Sequence, residues 1–167
     1  VGVGGSTEME KATTGREFAL GAGGIVRILY PPEGASIAIA DDQAMVAQID
    51  HLGWRVLLMS DAGFATEKWL LEHCRYLDSD VLVKGRHQRD YSGLPEFLAA
   101  VSPEAIISTN ATFPEGEAIP DRWRSSVEAM GVTLFDQAET GAVEIRVTEG
   151  DLILAGHANG LKKRLRH

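Results

Sequence analysis

Apolar and polar positions along the chain fall into short runs of two different periods. Two runs organise the rest. Residues 56–59 (VLLM) stop at Ser60-Asp61-Ala62-Gly63, and residues 81–83 (VLV) stop at Lys84-Gly85-Arg86-His87. Both are short, aliphatic or β-branched, and ended by glycine, which is the pattern of a buried strand rather than a helix. In open α/β sheets ligands gather where strands run out at their carboxyl ends, and Asp61 and His87 both fall there.

The pattern predicts the remaining elements in order. Residues 1–15 are small, polar and aperiodic, and read as a flexible lead-in. Strands are expected over 16–20 and 25–30, joined by a glycine-rich hairpin turn, with Pro31-Pro32 ending the second. Residues 33–42 read as a loop. A hairpin follows, with strands at 44–50 and 54–60 around the turn His51-Leu52-Gly53. From Gly63 the period changes: Phe64, Trp69, Leu70, His73 and Cys74 mark a helix, with Thr66 as its expected N-cap and Glu67 in its first turn. Strand 80–84 follows. Leu94, Phe97, Leu98 and Val101 recur at helical spacing, and Pro95 suits a first turn. Strand 104–108, a loop at 109–119, a helix from Pro120 to about 130 stopped by Gly131, and strands at 132–135, 141–148 and 151–155 complete the list. Residues 161–167 (LKKRLRH) read as a frayed basic tail. Strands first, then strand–helix alternation, then closing strands imply a layered α/β (mixed α+β) architecture with mixed sheets.

At 167 residues the chain is long enough for one domain with a proper core. Its formal net charge of −8 argues against a surface that grips nucleic acid by phosphate neutralisation alone, though it leaves room for a local basic groove. The single cysteine, Cys74, has no internal disulfide partner and reads as core packing. No apolar run approaches 18 residues, so this piece is expected to be soluble as it stands. No serine has the context of an activated nucleophile, and Trp54, Trp69 and Trp123 read as core anchors. His51, His73 and His157 read as structural or solvent-facing. Asp61 reads equally as a functional carboxylate and as a cap for the helix at Phe64, and His87 by itself reads as a loop histidine.

The residues also carry a resemblance. RVLLMSDAG, the following helix, and then SDVLVKGRHQRDYSGLPEFLAAVSPEAIIST resemble the carboxy-terminal half of the metallo-β-lactamase-like domain of ComEC-type DNA-internalisation proteins. LYPPEG and ADDQAMVAQID upstream, and VTLFDQAETGAVEIRVTEGDLIL downstream, are similar to that family's neighbouring segments, so the likeness spans roughly residues 25 to 155. It implies an αββα sandwich, incomplete or truncated here, over 16–156, with 157–167 as a basic tail. It also implies DNA uptake as the parent function and an extracytoplasmic domain of a bacterial membrane protein as the setting. The remainder of that membrane-embedded protein and single-stranded DNA would be the partners.

The departures from the family pattern shape the expected chemistry. Where the family has Gly-Asp this chain has Ser60-Asp61, and where it has Gly-His-His-Gly-Ser this chain has Gly85-Arg86-His87-Gln88-Arg89. The His-x-His-x-Asp-His cluster that supplies most metal ligands is absent from all 167 residues. The resemblance makes Asp61 a bridging carboxylate and His87 a terminal ligand of a zinc or manganese pair, an incomplete set, because a catalytic zinc takes three protein ligands. Arg86 and Arg89 suit a phosphodiester instead, and Asp42, with Asp41, reads either as a loop cap or as the counterpart of the family's Asn-Asp near the site mouth. The expectation is a degenerate, non-catalytic module that binds no metal as this chain. The alternative is a metal-dependent phosphodiesterase or nuclease whose missing histidines lie upstream.

Overall fold

Alternation inside the short apolar runs decides the architecture. In the computed structural model, which describes residues 12–21, 23–35, 41–87, 89–109 and 119–166, seven strands form one mixed sheet in sequential order. They are β1 (Glu17–Leu20), β2 (Gly24–Tyr30), β3 (Val46–His51), β4 (Trp54–Leu58), β5 (Val81–Lys84), β6 (Ala105–Ser108) and β7 (Thr133–Asp136). The first four are antiparallel. From β4 to β7 the strands are parallel, joined through helices α1 (Phe64–His73), α2 (Pro95–Val101) and α3 (Asp121–Ala129). Strands in sequential order with a fixed crossover hand put all three helices on one face.

Each parallel strand feeds two cores. Leu57, Leu82 and Ile106 pack with Leu70 of α1, Phe97 and Leu98 of α2, and Trp123 and Val127 of α3. Val56, Val81, Ile107 and Phe135 point the other way, onto Leu152, Leu154 and Leu165. Those leucines belong to a second, three-stranded antiparallel sheet of β8 (Val143–Val147), β9 (Asp151–Gly156) and β10 (Lys162–Arg166), in the order β10-β9-β8. A one-turn helix, α4 (Gln137–Thr140), leads from the large sheet to the small one. Most of these core side chains are under 2% exposed, a burial worth about 1.5–3 kcal/mol each. The layers are therefore helix, mixed sheet and antiparallel sheet. Among the described residues no helical layer covers the outer face of the small sheet.

Three expectations change. Residues 161–166 of the expected tail are not frayed: Lys162 to Arg166 form β10, because Leu165 fills the second core while Lys162, Arg164 and Arg166 alternate outward. The lead-in is anchored at its end, where the Thr14 and Gly15 amides donate to the Pro31 and Ile28 carbonyls. Thr66 is not an N-cap. The helix begins at Phe64 with Gly63 at the cap, which leaves Thr66 buried inside it. The expected loop at 109–119 and the lead-in before residue 12 lie almost wholly outside the described residues. No helix among those described is long and apolar enough to cross a membrane.

Candidate functional site

The carboxyl ends of β4 and β5 are zipped together beyond their paired residues. Met59 N–H donates to Val83 O at 3.0 Å, and Arg86 N–H donates to Ser60 O at 3.1 Å. Two glycines make the approach possible. A Cβ on Gly85 would lie 2.1 Å from Ala62 O, and one on Gly63 would lie 2.6 Å from both the His87 ring and Asp90 Oδ2. The reversal after β4 passes through Ser60 at φ 51°, a left-handed conformation that glycine adopts without strain and serine does not.

Beneath the joined tips lies a buried polar network. Glu67, on α1, is fully buried and accepts from Ser92 Oγ at 2.6 Å and from the amides of Gly93 at 2.5 Å and Leu94 at 2.8 Å. It thereby ties α1 to the start of α2. Asp90 returns the favour: Oδ2 accepts from the Phe64 amide at the start of α1, at 3.2 Å, and lies 3.3 Å from His87 Nδ1, while Oδ1 accepts from Ser92 N–H. Each helix is thus capped by a carboxylate from the other segment, satisfying amides that a helix start leaves open. Burial pushes the Glu67 carboxyl above its ordinary range, opposed by those hydrogen bonds.

Lys84, the last residue of β5, supplies the cation. It is 6% exposed, donates to Gly85 O at 3.0 Å, and sits 5.3 Å from the ring centre of Trp123. Burial lowers its pKa from 10.5 to about 8, against the pull of Glu67 and then Asp90. Trp123 closes the far side by donating from Nε1 to Gly93 O. In register with Lys84 stand Ser108 and Asp136, also buried, so the ends of β5, β6 and β7 present a polar row to the helices. Asp136 is ion-paired with Arg124 of α3.

Against this geometry the expected site residues divide. Asp61 and His87 stand on the two interlocked tips, Asp61 exposed and His87 buried. His87 Nδ1 accepts from the Arg89 amide and faces Asp90. Arg86 and Arg89 are exposed on the same loop. Asp42 lies in a single 3-10 turn (Asp41–Gln43), and its side chain falls outside the described residues. A two-metal centre does not fit this donor set. Asp61 is one exposed carboxylate and His87 one buried imidazole, short of the three protein ligands a catalytic zinc takes, and the permanent charge of Arg86 precedes His87 on the same tip. Among the described residues no three His, Cys, Asp or Glu side chains gather as a metal cage.

Lys84, Glu67 and Asp90 were not singled out from the sequence, although a signal existed for one. Glu67 lies three residues before Leu70 and seven before Cys74, which puts it on the apolar stripe of α1. A carboxylate on that stripe demands buried donors. Lys84 follows an apolar run and reads locally as the strand's polar stop. Compared with known proteins, the chain matches no family model and no curated protein.

Proposed function

We propose that this chain is a metallo-β-lactamase-like module of the ComEC type that has lost metal chemistry and binds the phosphodiester backbone of DNA. In this reading it serves a membrane-embedded parent protein that takes up DNA from outside the cytoplasm. The observation that carries the reading is the pair of interlocked tips. They stand at the carboxyl ends of neighbouring parallel strands, the position of ligand sites in open α/β sheets, and Lys84 is buried at the end of one of them. Arg86 and Arg89 stand exposed on the rim, and guanidinium groups suit phosphate oxygens. The test is binding of fluorescent single-stranded DNA across a salt series. The reading expects salt-sensitive binding that Arg86→Ala with Arg89→Ala abolishes, and absence of binding at low salt overturns it. Asp61 and His87 on the two joined tips also favour a second reading, a hydrolase completed by histidines outside this chain. Phosphodiesterase activity that appears when a histidine-bearing segment is supplied upstream, and disappears with Asp61→Asn, would replace the first reading with this one.

A further inference from the structure

The charge of this chain is unevenly spread. Residues 143–166, the small sheet, carry five lysines and arginines against three carboxylates, a formal +2 in a chain whose total is −8. Strand alternation then sorts them. On β9 and β10, Leu152, Leu154 and Leu165 point into the second core, which sends Lys162, Arg164 and Arg166 outward from the edge strand. Register sets Arg146 beside Ile153 and Ile153 beside Arg164, so a fourth cation faces the same way across the sheet. Arg146, Lys162 and Arg164 border a shallow groove of about 470 Å³ floored by Ile153 and Ala155.

Two carboxylates share the face. Asp151 accepts from Arg164 at 2.6 Å and lies 3.5 Å from Arg166, and Glu144 accepts from Arg146 at 2.8 Å. Glu144, Arg146, Arg164 and Arg166 are half or more exposed, or nearly so. The Arg146–Glu144 pair holds weakly enough for a phosphate to compete and Arg166 lies far from Asp151 for an ion pair, while Asp151 holds Arg164 through both Nε and Nη2. Lys162 has no carboxylate at ion-pair distance among the described residues.

We infer that this outer sheet face is a second anion site, and that its occupant is the backbone of duplex DNA. Cations at every second residue of an extended strand repeat at about 6.8 Å, close to the step between phosphates along a B-form strand and longer than the A-form step. The face has four cations to two acids, so it complements a polyanion, and the acidic remainder of the chain keeps that attraction local. It carries no aromatic side chain, which removes the stacking platform that single strands use. The site therefore reads backbone and not base.

This inference stands apart from the tips, and one experiment separates them. Binding of a short duplex DNA is followed by fluorescence anisotropy between about 50 and 200 mM salt, with circular dichroism confirming that each variant is folded. Four phosphate contacts predict a log–log salt slope of about −3.6, and Lys162→Gln with Arg164→Gln and Arg166→Gln should reduce it to about −0.9. Arg86→Ala with Arg89→Ala should leave the duplex slope unchanged while abolishing single-strand binding. If the triple variant binds duplex as the parent does, the sheet face is not the site, whatever becomes of the tips. Equal or tighter binding to duplex RNA, or to anionic lipid vesicles, overturns the choice of DNA. Salt-reversible self-association without DNA binding would assign the face to a second copy of the chain instead.

Discussion

Truncating Glu67 to alanine is the sharpest perturbation of the network under the tips. It removes the acceptor of three hydrogen bonds, from Ser92 Oγ and the Gly93 and Leu94 amides, and takes away the carboxylate that acts most strongly on Lys84. Hydrogen bonds to a charged group contribute about 1.5–3 kcal/mol each, but they are not additive. Removing one partner of a buried charge pair typically costs about 3–5 kcal/mol, and that is the expected loss. Against a total stability of about 5–15 kcal/mol this is a large fraction. In urea, with a slope of about 1–3 kcal/mol per molar, the unfolding midpoint should fall by about 2 M. Glu67→Gln keeps an oxygen for one or two of the donors and should lose about half as much. The pH dependence adds a signature. Burial raises the folded carboxyl above its ordinary value, so its contribution is full in acid and lost as pH rises through the raised value. Glu67→Gln should erase that segment of the stability–pH curve. A Glu67→Ala protein within about 0.5 kcal/mol of the parent, the scatter of a neutral surface change, would refute the network's structural role.

Other consequences are equally direct. Lys84→Met removes a buried amine whose folded pKa is depressed from 10.5 to about 8. That contribution is present above the ordinary value and lost as pH falls through the folded one. The parent's stability relative to Lys84→Met should therefore rise between pH 8 and 10.5, by up to about 3 kcal/mol; a flat difference curve would exclude a depressed Lys84. Gly85→Ala drives a methyl into Ala62 O, so it should cost several kcal/mol, on the order of 3, and broaden the amide resonances of both tips. An unperturbed spectrum would show that the tips are not in contact. Ser60→Gly relieves the left-handed strain at φ 51° and should stabilise by about 0.5–1 kcal/mol in a thermal melt, and a loss of stability would contradict that account.

Periodicity carried most of the architecture. The runs at 56–59 and 81–83 and the helical spacing around Leu70 and Phe97 are strong local signals, and the strands and helices formed where those signals lie. What failed was decided by distant partners. Thr66 looks like a cap because local sequence cannot reveal that the Asp90 carboxylate, 26 residues away, receives the first free amide of α1. LKKRLR looks like a tail because one leucine among cations carries little periodic signal, yet pairing with β9 supplies the backbone bonds and Leu165 finds the second core. At the site, Asp61 and His87 were legible as strand-end residues, and their tips do meet. The buried cation Lys84 was not, because a lysine after an apolar run is usually just the strand's end.

In the proposed reading, Lys84 rather than a bound metal supplies the positive charge beneath the joined tips. Titrating zinc and then manganese into the chain by calorimetry tests it most directly. The account predicts flat isotherms for the parent chain and no shift in its thermal midpoint. A saturable isotherm that Asp61→Asn or His87→Ala abolishes would contradict it.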